Sequence, residues 1–561
     1  MPVWTKEQSD AINKDNTNII VSAGAGSGKT AVLSERVIRK LKNNVNIDEL
    51  LIMTFTKAAA SEMKERIRKK KKKDKDLLEQ LKLIDAAYIT TFDSFALSVV
   101  KKYHYLLNVS NNIGIVDNTI ITLKKEEIID EIFEDLYKEQ DANFISLIND
   151  FCIIDDEEIK KQVLTINNKL DMLPNKEQYL EEYINKFYNS NRVEKDIEDY
   201  IKLIKQHIQD LKLILIDISN YASSEYMQKL QITLDPLFNS NNYEEIKNNI
   251  NFKLPRLETG SSEELKKEKE KLTKKISVIN NLCRYDDANY LKESYFSTKK
   301  YLEAICKILL TLHDKLMKYK YENDIYEFSD IANLSIKLVK EYPNVREEIK
   351  NKFKEIMIDE YQDTSDLQEE FVSYIANNNV YMVGDIKQSI YRFRNANPYI
   401  FKNKYDNYAK NISGYKIDLN KNFRSRLEVL DNINLIFNLI MDDKIGGADY
   451  IKDHQMVFGN NTYLEAGKTN QNNNLELLEY INTDNFTKDE IECFIIASDI
   501  IDKVNNKYLV FDKDEGILRP ITYNDFVILL DRSSKFDLFK KIFEYMKVPL
   551  NILKDEKINN S

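Results

Sequence analysis

Eight residues near the start of the chain have the composition of a phosphate-binding loop. Three of the twelve glycines fall at positions 24, 26 and 28, and a lysine and a threonine follow them. Small residues let successive backbone N–H groups turn toward an anion, at a helix N-terminus that already favours negative charge. The loop predicts nucleotide binding by the following residues: Ala23, Gly24, Ala25, Gly26, Ser27, Gly28, Lys29 and Thr30.

The two residues that end this loop have distinct chemistry. Lys29 is placed to reach the β- and γ-phosphates of ATP, and the Thr30 hydroxyl is placed to bind Mg²⁺. The strict phosphate-loop pattern has glycine at position 23, where this chain has Ala23, whose small side chain is compatible with the turn. The loop follows a short apolar run and precedes a helical pattern, as a phosphate loop does.

A pair of carboxylates follows a second apolar run at 356–358. Asp359 is predicted to bind Mg²⁺, and Glu360 is predicted to orient or deprotonate the attacking water. On its own such a pair is more often a solvated acidic turn, and the phosphate loop is what favours the catalytic interpretation. Lys29 and Asp359 are 330 residues apart, which predicts a large insertion between the two halves of one nucleotide site.

Short apolar runs supply the elements that would position these residues. Strands are predicted at 18–21, 50–53, 87–90, 356–358, 380–383, 415–419 and 526–530. Helical spacing of apolar residues follows several of them, including 30–42 and 427–441. Strands that alternate with helices predict a mostly parallel sheet with both faces covered. The residues from about 100 to 320 are rich in Lys, Glu, Asn, Ile and Leu at helical periods, and predict an inserted helical region.

The composition excludes several classes of protein. The net charge is −10, so any nucleic-acid groove must be a local feature. The four cysteines match no zinc or disulfide spacing, and no run of about 18 apolar residues predicts a membrane span. We therefore expect a soluble, reduced, cytoplasmic protein. The lysine run at 69–73 is interpreted as a solvated helix end in preference to a DNA contact.

Several segments, in the same order, resemble the motifs of superfamily 1 helicases of the UvrD/RecB group. They are WTKEQ at 4–8, TFTKAAASEM at 54–63, TTFDSF at 90–95, VGDIKQSIYRFR at 383–394 and NFRS at 422–425. The resemblance implies that Gln8 reads adenine, Gln388 senses the γ-phosphate and Arg424 acts as an arginine finger. It also implies DNA contacts by Phe55, Thr56, Thr91, Phe92, Tyr391, Phe393 and Arg394. Asp93 stands where this family more often has histidine.

Within that group the chain is similar to the AddAB-type helicase–nucleases, on GDIKQSIYRFRNANPYIF at 384–401. The resemblance implies an ATP- and Mg²⁺-dependent helicase or translocase with 3′–5′ polarity that takes part in double-strand break repair by recombination. The implied partners are single-stranded DNA, duplex DNA ends and the B subunit of the helicase–nuclease complex. The later helicase motifs and the nuclease motif are not found in the 561 residues. We therefore expect an N-terminal portion, with no nuclease of its own.

The resemblance implies an α/β fold with RecA-like motor domains. The expected segments are 1–104 and 321–425 for the first motor domain, 105–320 for the helical insertion, and 426–561 for an incomplete second motor domain. Two alternatives remain: another UvrD/RecB-type repair helicase, or a truncated module that binds ATP and DNA without unwinding. DNA-stimulated ATP turnover would distinguish the helicases from the truncated binding module.

Overall fold

The computed structural model describes residues 4–71, 80, 82–116, 118–460, 462–465, 475–481, 485–512 and 515–552. The chain divides into two compact units. One contains Met1–Val99 and Ser335–Ser561, and the other is Val100–Leu334. The four-segment division expected from the sequence stays a prediction.

The first unit is built on a six-stranded sheet. Its strands are β1 (Ile19–Ala23), β2 (Leu50–Thr54), β3 (Tyr88–Thr91), β6 (Glu355–Ile358), β7 (Val380–Gly384) and β8 (Tyr415–Leu419). Across the sheet they follow the order β3-β2-β6-β7-β1-β8. Every neighbouring pair is parallel, which confirms the predicted sheet. β1 lies between β7 and β8, so Ile19 is opposite both Tyr381 and Tyr415.

Continuous burial explains why these runs form parallel strands. All five residues of β1, β2 and β7 are buried, as expected for a sheet covered by helices on both faces. The helices outside the inserted region are Lys6–Asn13, Lys29–Lys42, Lys57–Lys71, Phe92–Lys102, Phe328–Glu341, Pro343–Lys352, Asp366–Ile375, Pro398–Ala409, Leu427–Ile440, Thr462–Glu465, Lys488–Asn505 and Phe536–Tyr545. Val32, Leu33 and Val37 of the second helix pack into the same core as Ile19 and Val21 of β1.

The second unit is largely helical. Its helices are Asn118–Glu139, Ala142–Phe151, Glu157–Leu170, Lys176–Phe187, Ser190–Ser219, Ser224–Phe238, Tyr243–Asn249, Glu263–Leu282, Ala288–Ser297 and Lys299–Asn323. The two-residue strands β4 (Gly114–Ile115) and β5 (Ile325–Tyr326) pair in parallel where the chain enters and leaves this unit. Two separate apolar cores hold the helices, one around Phe133 and Leu312 and the other around Leu211 and Leu272.

The predicted strand at 526–530 is wrong. Its apolar alternation is present, because Phe526, Ile528 and Leu530 pack on a small helical core while Val527 and Leu529 are exposed. No strand among the described residues pairs with it, and an extended segment without such a partner does not form a ladder.

The sequence also did not predict the antiparallel hairpin of β11 (Leu509–Asp512) and β12 (Ile517–Pro520), which turns at Gly516 with φ 69°. The described residues from 421 onward contain only two-stranded ladders, β9–β10 (Lys421–Asn422 with Val457–Phe458) and β11–β12. A second RecA-like domain in this part of the chain therefore remains an implication of the family.

A buried ion pair ties a helix to the sheet. The Arg36 guanidinium is fully buried and donates to both carboxylate oxygens of Glu355 in β6, and its Nη1 also donates to the Ala11 carbonyl at 2.9 Å. The Arg36 guanidinium also lies over the Tyr381 ring, 4.4 Å from its centroid. Removing Arg36 would leave the buried Glu355 carboxylate with only Lys40 Nζ, at 3.5 Å, as a cationic partner.

We expect Arg36→Met to lower the free energy of unfolding of the sheet unit by about 3–5 kcal/mol. The exposed i,i+4 pair of Arg66 with Glu62 supplies the control, since Arg66→Met should cost less than about 1 kcal/mol. Denaturant unfolding followed by fluorescence measures both. Equal losses for the two variants would show that burial of the Arg36 pair is energetically unimportant.

Candidate functional site

The predicted motifs meet at one edge of the parallel sheet. The phosphate loop follows β1, the carboxylates Asp359 and Glu360 follow β6, and Asp385 follows β7. In a parallel sheet the carboxyl ends of all strands lie at the same edge, which is where open α/β folds bind ligands. Pieces of chain more than 300 residues apart in sequence are therefore brought together.

The phosphate loop has the backbone shape that its glycines predict. Gly26 and Gly28 adopt left-handed conformations, with φ of 72° and 88°, and the helix begins at Lys29. A Cβ atom at Gly26 would lie 2.7 Å from the Cβ of Arg424 and 2.9 Å from the side-chain amide of Asn422. Glycine is therefore required at 26 by both backbone conformation and space.

Ala23 is the last residue of β1 and is fully buried, so its methyl group fits where the strict pattern has glycine. The Gly24 amide donates to the Leu419 carbonyl at 3.3 Å, and the Ser27 amide donates to the Gly24 carbonyl at 3.1 Å. Ser27 is buried, and its hydroxyl has no hydrogen-bond partner among the described residues. The loop is thus held by its backbone, and it retains one uncommitted hydroxyl.

Lys29 and Glu360 are joined by an ion pair. Lys29 Nζ lies 2.9 Å from Glu360 Oε2 and 3.2 Å from Oε1. Both side chains are part-exposed, so they face the open edge of the sheet. Glu360 itself adopts a left-handed conformation with φ 52°, which turns the chain sharply after β6. The pairing places the predicted phosphate-binding cation beside the predicted general base.

The two neighbouring aspartates are easier to protonate than usual. Burial, and then the adjacent Glu360 carboxylate, raise the pKa of Asp359 to about 6. Burial and Glu360 likewise raise the pKa of Asp363 to about 6, and one oxygen of Asp363 has no partner among the described residues. Each pKa rises because charge is disfavoured at a site that already carries negative charge.

A divalent cation fits this donor set. A cation near Asp359 would favour its ionised form and oppose the effect of Glu360. Among the described residues no cluster of three or more His, Cys, Asp or Glu side chains is arranged to hold a metal. Mg²⁺ in phosphate-loop sites takes only one or two protein carboxylates and completes its shell with phosphate and water. Thr30 follows Lys29 at the start of the helix and Asp359 precedes Glu360, while their binding of Mg²⁺ stays a prediction.

Gln8 lies directly behind the phosphate loop. It is buried, and its Nε2 donates to the Ser27 carbonyl at 3.0 Å. Its Oε1 accepts the Thr5 amide at 3.0 Å in the capping box of the first helix. The structure thus gives Gln8 a contact with the nucleotide-binding loop, while its role in reading adenine stays a prediction.

The chain around Arg424 closes over the phosphate loop through a residue that the sequence analysis did not single out. Asn422 is buried, and its Nδ2 donates to the Ala25 carbonyl at 2.7 Å while its Oδ1 accepts the amides of Arg424 and Ser425, each at 2.8 Å. The Arg424 side chain is exposed. A polar residue just after β8, within the NFRS segment, was the signal that could have identified Asn422.

Three aromatic rings form a row beside the site. The rings of Phe55 and Tyr391 are 4.5 Å apart, and those of Tyr391 and Phe393 are 5.8 Å apart. The Arg394 guanidinium lies 5.5 Å and 5.8 Å from the Tyr391 and Phe393 centroids. Phe393 is 77% exposed, so one face of the row is open to a flat ligand. Thr56 is also exposed, and its hydroxyl accepts the Ala59 amide at the start of a helix.

Thr91 and Phe92 are buried in this structure, and the DNA contacts predicted for them stay predictions. Phe92 is 7% exposed, and its ring packs edge-on against Phe371 at 5.7 Å. Thr91 is also buried, and its hydroxyl bonds Ser94 at 2.9 Å at the start of the following helix. Contacts at the end of β3 therefore occupy both side chains in this structure. Of the lysine run, 69–71 ends a helix, and Lys72 and Lys73 lie outside the described residues.

Comparison with known proteins identifies the class to which this fold and site belong. The UvrD/REP helicase N-terminal domain matches residues 4–254 and 226–409. These two matches cover most of the chain, and the chain therefore belongs to the UvrD/REP helicase family, as the motifs predicted. No helix among the described residues is long and apolar enough to cross a membrane.

Three relatives are each named as the A subunit of an ATP-dependent helicase/nuclease. The protein of that name from Ligilactobacillus salivarius is 30% identical over 98% of this chain, and that from Clostridium novyi is 32% identical over 95%. The one from Thermoanaerobacter sp. is 34% identical over 81%. These alignments cover 48%, 48% and 41% of the relatives, so the chain spans about half the length of the curated relatives it matches.

Proposed function

We propose that this chain binds and hydrolyses ATP with Mg²⁺ and couples hydrolysis to movement along single-stranded DNA. The observation that carries the proposal is the meeting of the phosphate loop, the Lys29–Glu360 pair and the aromatic row at one edge of the sheet. Membership of the UvrD/REP helicase family supports it.

The proposed chemistry is electrostatic positioning of a phosphoryl group. The backbone of the phosphate loop and Lys29 bind the phosphates, and Thr30 and Asp359 are the residues that would hold Mg²⁺, which would supply positive charge for the transferred phosphoryl group. Glu360 orients and deprotonates the attacking water. Gln388 contacts the γ-phosphate, and the exposed Arg424 beside Gly26 stabilises the charge that develops on it. Gln8, which donates to the Ser27 carbonyl of the loop, reads the adenine base.

The proposed DNA contacts are the open side of the aromatic row and its neighbours. Phe55, Tyr391 and Phe393 offer faces on which bases stack whatever their identity, and Arg394 and Thr56 bind the phosphate backbone. A helicase that must move along any sequence requires this kind of tolerance. Because the chain as a whole is acidic, this local row, rather than net charge, supports DNA binding.

The relatives' names support a wider proposal about the assembly. We infer that the chain works with the B subunit of a helicase–nuclease complex on single-stranded DNA and duplex DNA ends. Its proposed role is the 3′–5′ motor of double-strand break repair by recombination, in the bacterial cytoplasm where the chromosome lies. The support is similarity to proteins named as the A subunit of a helicase/nuclease.

ATP turnover with and without single-stranded DNA tests the motor chemistry. We expect DNA to stimulate turnover. Glu360→Gln should lower turnover at least about 100-fold, the range of a lost general base, and Lys29→Ala should lower it through the lost phosphate contact. Lys410→Ala and Glu341→Gln, at exposed positions, are the matched controls and should keep full activity. ATP binding through Lys29 with no response to DNA would instead favour a binding module without motor activity.

Phe393→Ala should weaken binding of single-stranded DNA, because it removes the most exposed ring of the row. Loss of one stacked base costs about 1–3 kcal/mol, or roughly 5- to 150-fold in affinity. Fluorescence anisotropy with an oligodeoxythymidylate measures the change. Tyr399→Ala removes an aromatic ring that is 55% exposed a few residues away and outside the row, and should bind DNA normally. Equal affinities for wild type and Phe393→Ala would exclude the row as the DNA contact.

Co-expression with the B subunit of a related helicase–nuclease tests the assembly. The expected result is a complex that elutes earlier from size exclusion than either chain alone. A run of the B subunit on its own fixes the reference position. Separate elution at micromolar concentration would argue that this chain does not make the contact.

A further inference from the structure

A buried amide connects the predicted general base to the next strand of the sheet. Gln362 is 1% exposed, and its Nε2 donates to Glu360 Oε2 at 2.9 Å and to Asp363 Oδ2 at 3.0 Å. Its Oε1 accepts the backbone amide of Asp385, after β7, at 2.9 Å. Both ends of one side chain are therefore committed, one to the carboxylates after β6 and the other to the backbone after β7.

The fold keeps space for this amide. A Cβ atom at Gly384 would lie 2.4 Å from Gln362 Oε1 and 3.1 Å from the backbone nitrogens of Tyr361 and Gln362. Gly384 does not have a left-handed conformation, so its backbone does not require glycine. What the glycine provides is the close approach of the Gln362 side chain to the strand end.

Asp385 also forms a hydrogen bond with Gln388, the predicted γ-phosphate sensor. Asp385 Oδ2 accepts Gln388 Nε2 at 2.8 Å, and Asp385 Oδ1 lies 2.7 Å from Lys387 Nζ. The Ser389 hydroxyl donates to the Gln362 carbonyl at 3.3 Å. Gln362 thus fixes the turn that carries Gln388 by both its side chain and its backbone.

The same segment leads into the aromatic row. Tyr391 and Phe393 lie two and four residues after Ser389, and the Asn397 amide donates to the Thr364 carbonyl at 2.9 Å. Hydrogen bonds therefore join the residues after β6 to the residues after β7 on both sides of Tyr391 and Phe393, at Ser389 and at Asn397. If residues 385–394 shifted when a DNA base bound, the hydrogen bond between the Asp385 amide and Gln362 Oε1 would change in length or direction.

We propose that Gln362 is a positioning residue that orients the Glu360 carboxylate and transmits the state of the 385–394 segment to it. The carboxylate receives hydrogen bonds from Lys29 and from Gln362, so its orientation depends on both. The inference rests on the proposed ATPase function and deepens it, because it assigns the route by which DNA at the aromatic row regulates the base.

Three substitutions test the contacts at the two ends of the amide. Gln362→Glu is nearly isosteric and keeps the oxygen that accepts from Asp385, but it replaces the donor to Glu360 with a carboxylate. Gln362→Met fills the space and removes both ends. Gly384→Ala leaves Gln362 intact and displaces it sterically. Gln368→Glu is the matched control, because Gln368 accepts the Ser365 amide in a capping box, which glutamate also satisfies.

The measurement is ATP turnover of each full-length variant with and without an oligodeoxythymidylate, beside the dissociation constant for a fluorescent ATP analogue and the melting temperature. We expect all three site variants to lose about 10- to 100-fold in kcat, the usual effect of removing a residue that orients a reactive group. Nucleotide affinity should be unchanged, and the remaining turnover should no longer respond to DNA. Gln368→Glu should match wild type.

Folded Gln362→Met and Gly384→Ala proteins with wild-type kcat and wild-type DNA stimulation would overturn the inference. So would a loss of kcat that only parallels a loss of nucleotide affinity, since that is the result of a structural role. A wild-type chain that hydrolyses ATP without any response to DNA would refute the proposed motor. Wild-type basal turnover in the Gln362 variants would then overturn the positioning role separately.

Discussion

The ion pair between Lys29 and Glu360 is the interaction on which the site depends. It joins two pieces of chain separated by 331 residues, and it does so across the edge of a sheet whose strands are all parallel. The parallel order is what makes the pair possible, because it places the carboxyl end of β1 and that of β6 on the same side. A helical region of more than 200 residues can then lie between them in sequence without disturbing the geometry.

Negative charge is concentrated around this pair. Asp359, Glu360 and Asp363 lie within five residues, and burial, followed by repulsion from the Glu360 carboxylate, raises the pKa of both aspartates. Burying several negative charges together is unfavourable in free energy unless cations lie nearby, and the Lys29 ammonium is one such cation. A divalent cation with a nucleotide would supply more positive charge at the same place, so the charge pattern favours the ligand that the proposed function requires.

The site is also connected internally by buried amides. Asn422 holds the phosphate loop through the Ala25 carbonyl, and Gln362 holds the carboxylates and the Asp385 backbone. Both side chains are almost fully buried, and each uses its donor and its acceptor on different segments. An amide can do this because it carries both functions within one planar group. The phosphate loop, the base and the aromatic row are therefore parts of one hydrogen-bonded system.

Local composition was enough to predict the sheet, the phosphate loop and the acidic pair, because each depends on neighbouring residues: buried apolar runs, closely spaced glycines and charged residues at strand ends. The motifs also indicated the family, which the comparisons confirm.

Which side chains are available for binding became visible only in the folded chain. The motifs indicate DNA contacts at both Phe92 and Phe393, but in the folded chain Phe92 is buried against Phe371 whereas Phe393 is exposed. The segment 526–530 has strand alternation but no strand beside it among the described residues, and the contacts of Gln362 and Asn422 join segments that are distant in sequence. Burial and pairing depend on partners far along the chain, so local patterns could not reveal them.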